Sequence, residues 1–390
     1  NARGTDMPFR YEQNVESEDG NNVYLTIDET IQSICEKYMQ KGVEDNNVLN
    51  KGVCIAMDVN TGAILAMVTT DGYDLNNPYE LSAKDKKKIK STPKKKQAEA
   101  ESAALSNMWR NKAVADTYMP GSVFKMCVAS AALEENLVNE KTSFTCTGSI
   151  SVEGETIHCS NISGHGTQNF VEVISNSCNP AFIQIGQMLG AGKFRQYYQG
   201  FGFSDKTGID LPGEAEDSFW KEGKMGGVDL AVASFGQNFS ITPIQMITAC
   251  AAVSNGGYVV QPHVVSKITD SKGNVIKTVD KKVKRQVISD DTSKKMNEYL
   301  EYNTERQGAA AGYISGYKVA GKTGTTEKRG VTKVESSFSE DYISSFCGYA
   351  PADDPQIAML VFFDTPDGDA YYGSQVSSPV FINIMSEVLP

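Results

Sequence analysis

Apolar and polar positions along the chain follow two periods that replace one another several times. Val23 to Ile27 reads as a short strand. From Asp28 onward Ile31, Ile34, Cys35, Tyr38 and Met39 fall three and four apart, the stripe of a helix capped by Asp28. The apolar, partly β-branched runs 52–58 and 63–69 flank Asn60-Thr61-Gly62 and predict a hairpin. After the break at Pro120-Gly121 come Val123, Phe124, Met126, Cys127, Val128, Ala131 and Leu133, which predict a buried helix beginning near Ser122. Helical patterns dominate 171–200, and 206–216 is a Gly/Pro loop. Thr242-Pro243 caps a helix that Asn255-Gly256-Gly257 stops. Residues 258–280 alternate around a turn at 271–274, and 291–307 read as helix. Strands are expected near 316–323, 342–350 and 356–364, with a last helix from about 378.

Strands at both ends with mostly helical sequence between them suggest one sheet assembled from the two termini. Helices would cover it, a largely helical lobe would be inserted in the middle, and a site would lie in the cleft between. Residues 1–22 are polar and acidic and read as a linker or the remnant of a preceding domain, leaving 23–390 as one large domain. A net charge of -11 argues against a nucleic-acid-binding body. No stretch is apolar for long enough to cross a bilayer, and no signal peptide opens the chain. The opening Asn1-Ala2-Arg3-Gly4 looks like a cut segment, so a membrane anchor is expected upstream. Residues 84–96 hold eight lysines and one aspartate: a solvated helix or loop, or a patch for anionic polymers or a partner.

Three segments carry chemistry. Lys125 stands one helical turn beyond Ser122, and a serine hydroxyl needs a base to take its proton. A lysine amine can be that base only if burial or another cation lowers its pKa. Serine with lysine three residues on also occurs at Ser91, Ser218 and Ser315, but only Ser122 opens a long apolar helix. A capping serine with a snorkelling lysine is the alternative. Ser177 and Asn179, two apart, could face one way in an extended turn, or could simply cap it. Lys322-Thr323-Gly324 lies on an expected strand whose alternation puts Lys322 and Thr323 on opposite faces. Such an edge could receive an extended peptide by β-addition. Lys206-Thr207-Gly208 repeats the triplet but runs into a loop turn.

Ser-x-x-Lys, Ser-x-Asn and Lys-Thr-Gly in this order are the set of β-lactamases and penicillin-binding proteins. From about residue 20 to its end the chain resembles the transpeptidase domain of a class B penicillin-binding protein. Asn111-Lys112-Ala113-Val114, Gly208 to Glu214, Phe235-Gly236-Gln237 and Thr242 to Gln245 add to the likeness. The resemblance implies an α+β fold of the penicillin-binding-protein and serine β-lactamase type, an antiparallel five-stranded sheet flanked by helices. It implies a peptidoglycan D,D-transpeptidase with Ser122 as nucleophile, Lys125 as base, and Ser177 passing a proton with help from Lys322. Asn179 would hold the acyl side chain, and Thr323, Gly324 and Thr325 would bind substrate. The backbone amides of Ser122 and Thr325 would form the oxyanion hole. It further implies stem peptides, lipid-linked precursor and β-lactams as ligands, a membrane-embedded glycosyltransferase as partner, work at the extracytoplasmic face, and no cofactor in catalysis. A D,D-carboxypeptidase or β-lactamase with the same residues, or a non-catalytic β-lactam sensor, is the alternative.

Five of the eight cysteines lie in apolar periodic stretches and read as small core residues. Cys146, His158, Cys159 and His165 cluster instead in a polar region. If Val152 to Glu155 is a hairpin turn, facing residues sum to 307, Cys146 faces position 161, and Cys159 shares its face while His158 points away. Two thiolates with His165 then suggest a structural zinc, with Cys178 or His158 as fourth ligand. A reversible Cys146–Cys159 disulfide or simple burial is the other reading.

Overall fold

The computed structural model describes residues 19–216, 218–306, 314, 316–328, 342–368 and 370–389. Ser315 and most of the expected linker lie outside these. β1 (Asn22–Leu25) leads to α1 (Glu29–Asp45), whose cap Asp28 accepts from the amides of Thr30 and Ile31. β2 (Gly52–Asp58) and β3 (Ile64–Thr69) meet at a turn where the Asp58 carboxylate accepts from Asn60 and Thr61 N–H. An excursion of three helices follows, α2 (Ala83–Ser91), α3 (Gln97–Trp109) and α4 (Lys112–Ala115). A 3-10 turn over Gly121–Phe124 then runs directly into α5 (Lys125–Glu134).

β4 (Ser143–Cys146) pairs with β7 (Gly166–Asn169) around an inner hairpin of β5 (Ser149–Val152) and β6 (Glu155–His158). The lobe continues through α6 (Phe170–Ser175), α7 (Asn179–Gly200), α8 (Gly227–Ala233) and α9 (Pro243–Ser254). β8 (Tyr258–Val260), β9 (Val265–Thr269), β10 (Val275–Thr278) and β11 (Val283–Gln286) make small peripheral sheets, one of which takes in β1. α10 (Asp290–Arg306), β12 (Ala320–Glu327), β13 (Tyr342–Ala350), β14 (Ile357–Asp364) and α11 (Ser377–Val388) complete the chain.

The central sheet is antiparallel, in the order β12-β13-β14-β2-β3. It joins both ends of the chain, as the strand distribution predicts. Two-residue alternation divides its side chains. Cys54, Ala56, Phe346, Val361 and Phe363 pack with Met39 of α1 and Phe381 and Ile384 of α11. Val53, Ile55, Cys347, Tyr349 and Leu360 face α9 and α5. Each of the larger ones, such as Val53, Ile55, Phe346, Leu360 and Phe363, contributes about 1.5–3 kcal/mol on leaving water. Every residue of α9 is buried, which fits its lack of a polar face, and Thr242 and Gln245 close its N-terminus as a capping box.

Two expectations shift. The strand expected near 316–323 forms at Ala320–Glu327, because Ile314 and Tyr317 pair in an isolated bridge and turn the chain first. The 307 rule holds for Ser149–His158 through Val152–Glu155, but the ladder stops there. Cys146 pairs with Gly166, not with position 161, because the chain leaves the inner hairpin for a second ladder.

Candidate functional site

Ser122 sits in the 3-10 turn, one step before the helix proper. The preceding Gly121 has φ +58, and a Cβ there would lie 2.0 Å from Thr326 Oγ1, so only glycine lets this turn rest against β12. Its N–H donates to Gly236 O at 2.9 Å, tying the turn to the end of α8 as well. Gly324 completes the fit from the strand side. It faces Ser345, Val123 and the Pro120 carbonyl and points away from the groove.

Lys125 is fully buried. Its Nζ donates to Ser177 O at 2.7 Å and Asn179 Oδ1 at 2.7 Å, and lies 3.1 Å from Ser177 Oγ. The carbonyl is aimed by backbone strain: Ser177 has φ 51, a left-handed conformation rare for a residue with a side chain. Burial pushes Lys125 well below the usual ammonium range, and the positive charge of Lys322 pushes it further. Lys322 is itself fully buried, bonds Thr323 O at 3.3 Å, and is lowered by burial to about 7. A buried amine with a second buried amine nearby to depress it further is what a lysine base needs near neutral pH.

Ser122, Ser177, Asn179, Thr323 and Thr325 line one groove of about 210 Å3. The strand alternation is as expected, with Lys322, Gly324 and Thr326 beneath and Thr323 and Thr325 toward the opening. Ser160, Phe235, Gln237 and Tyr372 also line the groove, and sequence reasoning assigned them no part in the site. Gly373 N–H donates to Thr325 Oγ1 at 3.1 Å, so the segment before α11 orients a candidate substrate-binding hydroxyl. The pair Tyr371-Tyr372 before Gly373-Ser374 was the available cue. Two other serine-lysine pairs separate from the groove: Ser91 ends the exposed helix α2, and Ser218 bridges Ser240. Thr207 and Gly208 give their N–H groups to Glu214, the expected loop turn.

Beside the groove, ligand atoms of Cys146, Cys159, His165 and Cys178 lie within 4.8 Å of one another. The three cysteines are buried and, like all eight in the chain, free thiols. Cys159 Sγ is 3.5 Å from His165 Nδ1. The hydrogen bond from Cys178 and the amides of Asn161 and Asn179 pull Cys159 toward thiolate. His158 is exposed and stands outside the cluster, but its carbonyl accepts from Asn179 Nδ2 at 3.3 Å. The cluster is thus joined to the groove through Cys178, which is next to Asn179, and through this bond.

A family profile for the penicillin binding protein transpeptidase domain matches residues 52–386. Stage V sporulation protein D of Bacillus subtilis is 35% identical over 100% of this chain and 56% of its own length. The Escherichia coli K12 peptidoglycan D,D-transpeptidase FtsI is 26% identical over 96% of this chain and 57% of its own. The chain therefore spans little more than half the length of these curated relatives. The TP domain of Burkholderia pseudomallei penicillin-binding protein 3 superposes with a TM-score of 0.73 at 24% identity, covering 94% of this chain and 95% of that one.

Proposed function

The chain belongs to the penicillin-binding protein transpeptidase family, and from that premise we propose that it is a peptidoglycan D,D-transpeptidase working through a serine acyl-enzyme. The observation that carries this reading is Lys125, held without solvent against Ser177 and Asn179, two residues that line the same groove as Ser122. Neutral Lys125 takes the Ser122 proton as Oγ attacks the carbonyl between two terminal D-alanines. Ser177, in contact with Lys125, hands that proton to the departing amine, which leaves as free D-alanine. Thr323 and Thr325 receive the terminal carboxylate, and the amides of Ser122 and Thr325 hold the oxyanion. An amine from a second stem peptide then attacks the ester, releases Ser122 and forms the cross-link. β-Lactams acylate the same oxygen, the amide bond of their ring opening in place of the D-alanine bond.

None of these steps needs a metal. A structural zinc is a separate part of the reading, supported by the closeness of the Cys146, Cys159, His165 and Cys178 ligand atoms. Three sulfurs and one imidazole are a usual tetrahedral set for this ion. Bound there, zinc would brace β4, β6 and the Cys178-Asn179 entry to α7, and so fix the acceptor of Lys125. The relatives' names place them in sporulation and wall synthesis, which fits work at the extracytoplasmic face with an anchor outside this chain. Among the described residues no helix is long and apolar enough to cross a membrane. The membrane-embedded glycosyltransferase is the partner this reading expects.

The test is incubation with stem pentapeptide and a labelled D-amino acid. Exchange of label into the peptide, lost in Ser122→Ala, is the expected result. Release of D-alanine to water alone would mark a carboxypeptidase instead. Rapid catalytic turnover of a chromogenic cephalosporin would mark a β-lactamase.

A further inference from the structure

The excursion between β3 and α4 is not used by this chemistry. α2, the 3-10 turn at Lys94–Lys96 and α3 bury none of their residues, so core packing does not dictate their composition. Yet residues 84–96 carry eight lysines against one aspartate, in a chain whose net charge is -11. All eight lysines are exposed. Among the described residues only Lys86 has an ion-pair partner, Glu80. On α2, Lys84 and Lys88 stand four apart, as do Lys86 and Lys90, a spacing at which like charges repel and weaken a helix.

The form of the patch selects its partner. The lysines of α2 spread over more than half of its circumference, and the side they leave holds only Asp85 and Ile89, the one apolar side chain after Ala83. A helix that docks on a bilayer sets an apolar face against its basic one, and this helix has no such face. The run contains no arginine, the residue whose planar fork suits a single defined anion. Lysine point charges on flexible stems suit a chain of repeated charges instead.

We propose that the Lys84–Lys96 surface binds a linear phosphodiester polymer. Binding replaces the counterions that these ammonium groups otherwise collect, and it relieves the repulsion along α2. The experiment is fluorescence anisotropy of dye-labelled poly(glycerol phosphate) titrated with the chain at rising salt. With five ammonium groups engaged and a slope of about -0.7 per phosphate, raising NaCl from about 50 to about 200 mM should weaken binding about 10²-fold. A variant carrying Lys87→Gln, Lys88→Gln, Lys94→Gln, Lys95→Gln and Lys96→Gln should lose binding at the lower salt while its melting temperature is kept. Equal affinity of that variant, or affinity indifferent to salt, would overturn the proposal. So would co-sedimentation with phosphatidylglycerol vesicles by a chain that leaves the polymer free.

Discussion

Replacing Lys322 by methionine removes a buried amine and keeps a chain of similar length. It should stabilise the protein and slow the serine together. Burial lowers Lys322 from 10.5 to about 7. A base depressed in this way costs the folded state nothing above 10.5; the cost grows as pH falls and levels off below about 7. At about 1.4 kcal/mol for each pH unit, the cost at pH 7 is about 4 to 5 kcal/mol. The hydrogen bond lost, from Nζ to Thr323 O at 3.3 Å, is worth about 1 kcal/mol. The net gain for Lys322→Met is therefore about 3 to 4 kcal/mol at pH 7, and close to zero at about pH 9.5. Urea unfolding at the two pH values measures both. Equal gains at the two values would refute the titration argument, and a loss at pH 7 would refute the reading of Lys322 as an uncompensated buried amine. The chemistry should move the other way. Without the neighbouring charge Lys125 keeps its proton to higher pH, so acylation by a penicillin should slow more at pH 7 than at pH 9. Equal slowing at both would remove Lys322 from the activation of Lys125.

Asn179→Ala removes an acceptor 2.7 Å from Lys125 Nζ and the bond to the His158 carbonyl, and should slow acylation about 10²-fold with the fold retained, as measured by stopped-flow with a fluorescent penicillin. Gly121→Ala places a methyl group 2.0 Å from Thr326 Oγ1 at φ +58, and should destabilise by about 1–3 kcal/mol in urea while slowing acylation; an unchanged protein would show that the turn can give. Protein purified without added zinc should carry about one equivalent by mass spectrometry of its metals, and Cys159→Ser should lose it along with several degrees of melting temperature. Less than about a tenth of an equivalent in the parent would end the zinc reading.

Much of this architecture was legible because its signals are local. The runs 342–350 and 52–58 announce buried strands, and Thr242-Pro243 with Asn255-Gly256-Gly257 brackets the buried α9. The groove was legible for a different reason: serine, lysine and asparagine at fixed short spacings survive any uncertainty about strand ends. Hence β12 was expected about four residues early, yet the opposite faces of Lys322 and Thr323 came out as expected. What the sequence hid is set by tertiary path. Cys146, Cys159, His165 and Cys178 come together as expected, but two separate ladders converge to place them, and the sum over one hairpin does not describe that path. Tyr372 and Gly373 reach the groove because the segment before α11 lies against β12; the Tyr371-Tyr372-Gly373-Ser374 run marks the segment as unusual but does not say which strand it meets. The left-handed backbone of Ser177 is equally silent, since serine gives no warning of a positive φ.

The central claim is that Ser122, deprotonated by Lys125, is the group that becomes acylated. Intact-mass spectrometry after incubation with benzylpenicillin, followed by peptide mapping, tests it most directly. The account predicts one adduct per chain, carried by the peptide containing Ser122 and absent from both Ser122→Ala and Lys125→Ala. An adduct on any other side chain, or full acylation of the Lys125 variant at an undiminished rate, would contradict it.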